Sequence, residues 1–304
     1  MTNSYGIYGS PPRELVQIPV DATQFSALMP GSASLEEQAP ESLDQIIIHA
    51  PPGTIERRYT FALAVKALKS GGSLITLAGK DKGGSRLSKE LESLGFAVQE
   101  EARSHFRICE AKKDTPNLDT VKEMIAEGSP SFVEAMQLWS QPGVFSWNRL
   151  DPGSTLLLQH LPELSGFGAD LGCGVGYLAK AVLQSKKIRK IAMYDIDRRA
   201  IEMAKKNMNL ERVTLHWSDL RRENQLPNNL DFVITNPPFH DEGEEDKSLG
   251  QGFLKTAAKM LKRGGVCWVT ANKHLPYEEV MRPIFEQVRV VTEKNGFKIF
   301  EAIK

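Results

Sequence analysis

The sequence predicts an α/β protein: a doubly wound, Rossmann-like sheet in the C-terminal half, preceded by a smaller, degenerate and related α/β domain. Three observations predict it. Strand-like apolar runs alternate with helical periods from Ser154 to Lys304, residues 43–80 repeat the order of residues 230–273, and a glycine-rich turn lies between a strand and a helix at Asp170 to Gly176. Strands joined through helical segments imply right-handed crossovers and a mostly parallel sheet covered on both faces.

In chain order, the C-terminal half reads as a helix over STLLLQHL from Ser154, a strand over FGADL from Phe167 and a helix from Tyr177 to Gln184. A strand over IRKIAMYD ends on Asp195, a helix covers RRAIEMAKKNM, and RVTLHW is the next strand. LDFVIT from Leu230 reads as a strand, SLGQGFLKTAAKML as a helix and GVCWVTAN as a strand, before a last helix and strand pair ending in FKIFEAI.

The first half echoes part of this pattern. LDQIIIHAPP, FALAVKALKSGG and SLITLAGK follow the order of LDFVITNPPF, FLKTAAKMLKRGG and VCWVTANK, and the spacing from Gly72 to Lys80 recurs from Gly265 to Lys273. A repeat of that length fixes architecture and points to a duplicated domain. The copies differ where chemistry would reside. The first has no glycine-rich turn in the short stretch before its strand, and His49-Ala50 stand where the second has Asn236. The polar stretch from Ala111 to Pro130 reads as a linker with one short helix, so the expected limits are 1–112, 113–130 and 131–304.

A chain of 304 residues is long for one ordinary domain, and 41% hydrophobic with 25% charged residues is the composition of a globular protein. No apolar run approaches the roughly 20 residues that span a bilayer, and the expected location is cytoplasmic. Cys109, Cys173 and Cys267 form no CxxC, so neither a disulfide framework nor a metal site is expected. The formal net charge of zero lacks the basic excess common in nucleic-acid enzymes. Lysines and arginines cluster locally at Lys180, Lys186, Lys187, Arg189, Lys190, Lys205 and Lys206. They read as solvated helix faces or as a phosphate-contacting rim, and both readings stay open.

The chemistry-bearing residues fall at the C-terminal ends of successive strands, where open α/β sheets bind ligands. Gly172, Gly174 and Gly176 let the main chain turn sharply and bring bare backbone to a ligand. Asp170 precedes them and suits the ammonium of a methionine moiety. Asp195, about 20 residues beyond the glycine turn, suits the hydroxyls of an adenosine ribose. Asp197 reads as the N-cap of the next helix. Asp219 falls in the loop after the third strand, where it suits an adenine amine or simply forms a turn.

The next strand delivers Asn236, Pro237, Pro238 and Phe239. Both prolines fix φ and lack N–H donors, and the residue before a proline is pushed to an extended conformation. The consequence is a stiff step that offers only acceptors. The Asn236 amide oxygen and the Pro237 carbonyl suit both hydrogens of a planar exocyclic amine, and Phe239 suits stacking against a flat ring. The sulfonium methyl of S-adenosylmethionine is the matching electrophile.

With those residues in hand, the C-terminal half resembles the class I S-adenosylmethionine-dependent methyltransferases. More narrowly it is similar to the ribosomal RNA small subunit guanine-N2 methyltransferases, which pair a degenerate N-terminal methyltransferase-like domain with an active C-terminal one. The likeness rests on GVFSWNRLDPGSTLLLQHL, DLGCGVGYLAK, ITNPPFHDEG, ANKHLPYEEV and FKIF. It implies S-adenosylmethionine as cofactor, held by the glycine turn and Asp195, and ribosomal RNA or the small ribosomal subunit as partner. It also implies that Asn236 through Phe239 hold the target amine. Phe145 and Ser146, with the turn from Asp151 to Thr155, match a segment that closes over the cofactor; helix entry with Ser154 as N-cap is the plainer reading. Lys273, His274, Tyr277 and Lys298 fall on loops where RNA contact is expected.

The same amine-holding step would serve a protein glutamine N5-methyltransferase or a DNA adenine N6-methyltransferase. From a different class, a non-catalytic RNA-binding or ribosome assembly factor would also fit, since the first copy tolerates loss of the site. The acidic run DEGEED directly after the step is awkward beside a phosphate backbone. The sequence carries no reading of oligomeric state.

Overall fold

The computed structural model describes residues 4–304 except 224, 239, 242, 243 and 246. The chain divides into two compact units, residues 1–129 and 130–304. Among the described residues, no helix is long and apolar enough to cross a membrane.

The first unit is built from β1 (Tyr5–Tyr8), β2 (Thr23–Gln24), β3 (Leu43–His49), α1 (Thr54–Ala67), β4 (Leu68–Gly79), α2 (Leu87–Ser93), β5 (Val98–Arg103), β6 (Phe106–Lys112) and α3 (Leu118–Gly128). Its sheet has the order β2-β1-β3-β4-β6-β5. The first four strands of that order run parallel, and β6 is antiparallel to both its neighbours. Ile46 and Ile48 of β3 pack with Phe61, Leu63 and Val65 of α1, while Ile47 between them faces the other side with Leu15 and Leu77. Alternation along a strand buried on both faces produces that split. The segment expected as a linker belongs here: Asn117 caps α3 by accepting from the Thr120 N–H, and Val121 and Met124 are buried in this core. An amphipathic helix with an apolar stripe has a surface to cover, which is why residues 113–129 dock instead of hanging free.

The second unit contains the hairpin of β7 (Ser131–Val133) and β8 (Leu138–Ser140), then α4 (Pro152–His160), β9 (Gly166–Leu171), α5 (Tyr177–Val182), β10 (Ile188–Asp195), α6 (Arg198–Asn207), β11 (Val213–Trp217) and β12 (Leu230–Thr235). It continues through β13 (His240–Asp241), β14 (Glu244–Glu245), α7 (Lys247–Met260), β15 (Leu261–Asn272), α8 (Tyr277–Met281), β16 (Gln287–Lys294) and β17 (Phe297–Ile303). The seven-stranded order is β11-β10-β9-β12-β15-β17-β16, with β12 central and β17 antiparallel to both neighbours. Phe232 and Ile234 of β12 pack with Leu157 of α4 and Ala179 of α5. Val233 turns to Leu254 and Ala257 of α7 on the opposite face. The doubly wound expectation is met, and the elements fall within a few residues of their predicted limits. The expected final helix and strand pair is instead a helix followed by two strands. β16 lies at the sheet edge with mostly exposed polar side chains, so it lacks the apolar run that betrays an interior strand.

The repeat holds in space. The order β1-β3-β4-β6-β5 matches β9-β12-β15-β17-β16, strand for strand and direction for direction. The same latch closes the start of each central strand. Asp44 takes the Lys69 ammonium at 2.8 Å and the Ser4 N–H at 2.7 Å; Asp231 takes Lys262 at 2.6 Å and the Phe167 N–H at 2.7 Å. Gly71 and Gly264 both adopt positive φ, 75° and 76°, in the turn that follows each lysine. A side chain there would be strained.

What differs is the end of the strand. In register, His49 of β3 stands where Asn236 follows β12. Behind it, Arg57 is wholly buried, forked onto Glu90 at 2.7 Å by two nitrogens and donating through Nη1 to the Pro51 and Pro52 carbonyls at 3.2 and 3.0 Å. The chain's own guanidinium thus fills the corner of the first copy. Breaking such a buried pair leaves one charge uncompensated. Arg57→Ala should lower stability by about 3–5 kcal/mol in urea unfolding, and the double change R57M/E90L should cost less than half of that. Equal losses in the two would mean that packing, and not charge, makes the plug.

Candidate active site

The site is assembled where β9, β10 and β12 end. Beyond Leu171 the backbone turns through Gly172, Gly174 and Gly176, whose φ angles are 70°, 52° and 87°. The turn is pinned: the N–H groups of Gly172 and Cys173 both donate to the Tyr194 carbonyl, at 2.9 and 3.0 Å. From α6, the Asn207 amide donates to the Val175 carbonyl at 2.9 Å, a support that sequence reading did not find. The three glycines answer different needs. A Cβ on Gly176 would meet the terminal methyls of Met208 and Met193, and one on Gly172 would meet Phe253 at 3.2 Å. A Cβ on Gly174 would meet nothing within 4 Å, so bare backbone faces open space there.

Asp170 is fully buried beneath this turn, and neither carboxylate oxygen has a hydrogen-bond partner among the described residues. Burial pushes its carboxyl up to about 8. An unsatisfied buried carboxyl is costly and concentrates at functional sites. Asp195, at the end of β10, accepts the Gly174 N–H at 2.7 Å and the Asp197 N–H at 2.9 Å. Burial pushes its carboxyl up to about 6, and those backbone donors restrain the rise. Asp195 therefore ties the glycine turn to the second strand and still has lone pairs for a ligand.

The acceptor step sits beside the turn, since a Cβ on Gly172 would lie 3.9 Å from the Asn236 carbonyl. Thr235 anchors it by donating to the Leu171 carbonyl at 2.7 Å. Pro237 is buried, and Asn236 and Pro238 are half-buried. The Asn236 Nδ2 donates to Asp151 Oδ2 at 2.9 Å and to Ser154 Oγ at 3.0 Å. The expected N-cap is corrected: Asp151, not Ser154, caps α4, accepting the Ser154 N–H at 2.7 Å with Pro152 at the first helical position. A proline there needs no N–H partner, which moves the cap one residue before it.

The structure thus brings together Asp170, Gly172, Gly174, Asp195, Asn236 and Pro237. Asp219 stands differently. Although burial works against it, the Arg221 guanidinium and backbone N–H, together occupying both oxygens at 2.9 to 3.0 Å, hold its carboxyl below the usual range. It forms the turn, with three N–H groups of Arg221 on its oxygens. Phe145 is 62% exposed, and Ser146 beside it has a φ of 51° and donates to the Arg149 carbonyl at 2.8 Å. Of the residues expected to meet RNA, Tyr277 is buried at 1% exposure in the space left by Gly250, a correction that follows from its apolar ring filling the core. Lys273 and Lys298 are exposed or half-exposed and pair with Glu293 and Glu278. Phe239 and part of the acidic run lie outside the described residues.

The sequence profile of the Methyltransferase small domain family matches residues 135–301. A ribosomal RNA small subunit methyltransferase C of Shewanella pealeana is 32% identical over 87% of this chain and 78% of that protein. One from Acinetobacter baylyi is 32% identical over 85% and 78%. The chain belongs to the ribosomal RNA small subunit methyltransferase C family. It is a methyltransferase. The fold of this chain matches across its full length that of the T. thermophilus 16S rRNA N2 G1207 methyltransferase (RsmC), solved in complex with AdoMet and guanosine. The TM-score is 0.79 at 22% identity, covering 100% of this chain and 89% of that one.

Two outcomes test the site. A Cβ on Gly174 enters open space at positive φ, costing about 1–2 kcal/mol. Gly174→Ala should therefore fold, and calorimetry should show cofactor affinity reduced tenfold or more; unchanged affinity would remove Gly174 from the site. For Asp170, the folded state holds a proton that the unfolded chain releases between about pH 4 and pH 8. Stability must fall as pH rises through that window. Asp170→Asn removes the dependence, so its thermal midpoint should overtake the wild type progressively from pH 5 to pH 8.

Proposed function

We propose that residues 130–304 transfer a methyl group from S-adenosylmethionine to the exocyclic N2 amine of a guanine in ribosomal RNA, in the small ribosomal subunit or its RNA. Residues 1–129, whose corner is filled by Arg57, help fold the catalytic unit or dock the RNA. A cytoplasmic location fits this reading. The observation that carries it is the acceptor-only step of Asn236 and Pro237 standing beside a glycine turn that leaves open space at Gly174.

The residues present fit S-adenosylmethionine. The unpartnered carboxyl of Asp170 lacks the donor that a ligand ammonium or a water on it would supply, Gly174 leaves backbone bare, and Asp195 has lone pairs for ribose hydroxyls. When bound, the cofactor supplies an electrophilic sulfonium methyl. The chain supplies alignment. Asn236 Oδ1 and the Pro237 carbonyl accept the two hydrogens of the amine, drawing its nitrogen toward tetrahedral geometry with the lone pair aimed at the methyl. An amine conjugated to a ring loses its proton only after attack, so orientation within about 3–3.5 Å matters more than a strong base. The stacking face for the guanine is the part the sequence resemblance gives to Phe239, which lies outside the described residues.

A planar amine on adenine or glutamine would fit the same step. The names of the relatives favour guanine in ribosomal RNA. The test is to incubate the protein with methyl-labelled cofactor and, separately, naked ribosomal RNA, small subunits or a release-factor-like protein. Label should enter RNA as N2-methylguanine; label confined to protein would end this reading. Asn236→Ala should lower kcat by about 10²–10³-fold, the scale for losing one well-placed polar contact to the reacting group. Cofactor affinity should be retained.

A further inference from the structure

We infer that Asp151 and Ser154 are positioning residues that lock the Asn236 side chain with its oxygen toward the substrate. This rests on the methyl-transfer reading above. A side-chain amide has two faces, and a half-turn exchanges an acceptor for a pair of donors. The exchange decides the reaction. With Nδ2 outward, the corner would present hydrogens to the hydrogens of an amine and would instead suit a carbonyl oxygen, such as O6 of the same guanine.

Nothing on the step itself chooses between the two states, because Pro237 and Pro238 have no N–H. The choice comes from α4. Asp151 carries only acceptors when ionised, and its Oδ2 faces Asn236 at 2.9 Å, with Ser154 Oγ at 3.0 Å from the same nitrogen. Turning the amide over would set Oδ1 against a carboxylate. The observed state therefore keeps a charge-assisted hydrogen bond to Asp151 that the other turns into repulsion; the Ser154 hydroxyl, which can accept or donate, steadies the amide without choosing between the states. Among the described residues, none donates to Asn236 Oδ1.

The clamp is itself held by rigid structure. Asp151 Oδ2 also takes the Ser154 N–H at 2.7 Å, and the Asp151 carbonyl takes Thr155 Oγ1 at 2.9 Å, so the carboxylate is fixed by the helix it caps. The helix is seated on the sheet: a Cβ on Gly153 would fall 2.8 Å from the Phe297 ring, and Leu156 and Leu157 are buried. Groups on regular elements hold geometry better than groups on loops. The corner thus has a built-in preference for an amino group, set by Asp151 and steadied by Ser154.

The experiment compares D151A, D151N, N236D and the double change D151N/N236D. For each, kcat and KM for methyl transfer to ribosomal RNA, cofactor affinity and thermal midpoint are measured. D151A should lower kcat about 10²-fold while cofactor affinity changes less than threefold. D151N keeps an oxygen for Nδ2 and for the helix cap, and should keep kcat within about tenfold of wild type. N236D sets two carboxylates face to face and should fall below detection or by about 10³-fold. In D151N/N236D the residue-151 amide can turn to donate to the residue-236 carboxylate, whose outer oxygen still accepts; this gives up the cap on the Ser154 N–H and lowers the thermal midpoint, but kcat should recover at least tenfold over N236D. A merely structural role would shift thermal midpoints without that recovery. A double change no better than N236D, or wild-type kcat in D151A, overturns the assignment; if D151A fails to fold, the N236D comparison decides. Wild type that labels no RNA would sink the substrate reading instead, and the same variants would then be scored on the acceptor that is labelled.

Discussion

The hydrogen bonds from the Asn236 amide to Asp151 and Ser154 are the constraint on which the site depends. Two prolines make the strand end rigid and remove its donors, but they do not decide what the asparagine presents. That decision comes from a helix cap far back in the chain. Once the amide is fixed, the corner has a single chemical character: it accepts. Around it the glycine turn is pinned by the Tyr194 carbonyl and by Asp195, which fixes its place beside the corner.

The two units show how separable scaffold and site are. Both carry the aspartate-lysine latch, the same left-handed glycine and the same strand directions. In the first, β3 runs on through His49, and Arg57 places a guanidinium against Pro51 and Pro52. In the second, Asn236 stands at that position, and no side chain pairs with the buried carboxyl of Asp170 beneath the turn among the described residues. In the first unit the buried charges of Arg57 and Glu90 satisfy each other, whereas the buried carboxyl of Asp170 in the second has no such partner among the described residues. Functional sites commonly carry such a stability cost.

Much of this was legible in the sequence, for identifiable reasons. Interior strands such as LDFVIT announce themselves because both faces are buried, and the Gly, Asp and Asn-Pro-Pro positions because their residue types are forced by turn geometry and chemistry. The edge strand β16 was missed because its exposed polar residues carry no such signal. Residues 113–129 read as a linker because a short helix with polar flanks hides its buried stripe, Val121 and Met124. Tyr277 was misjudged because a ring's burial is a tertiary fact, and the Arg221 partner of Asp219 could not be read from the chain for the same reason. The roles of Asp151 and Asn207 were invisible for the same reason. Asp151 lies 85 positions from Asn236, and no local pattern pairs them.

The account's central claim is that Asn236 presents its amide oxygen to the amine while Nδ2 stays on α4. The most direct measurement is a crystal structure of the protein with guanosine and a cofactor analogue lacking the transferable methyl, at a resolution that separates amide oxygen from nitrogen by its contacts. The account predicts the guanine N2 at about 2.7–3.2 Å from both Asn236 Oδ1 and the Pro237 carbonyl, with Nδ2 still on Asp151 and Ser154. An amide turned over, or an N2 held by other groups with the corner left aside, would contradict it.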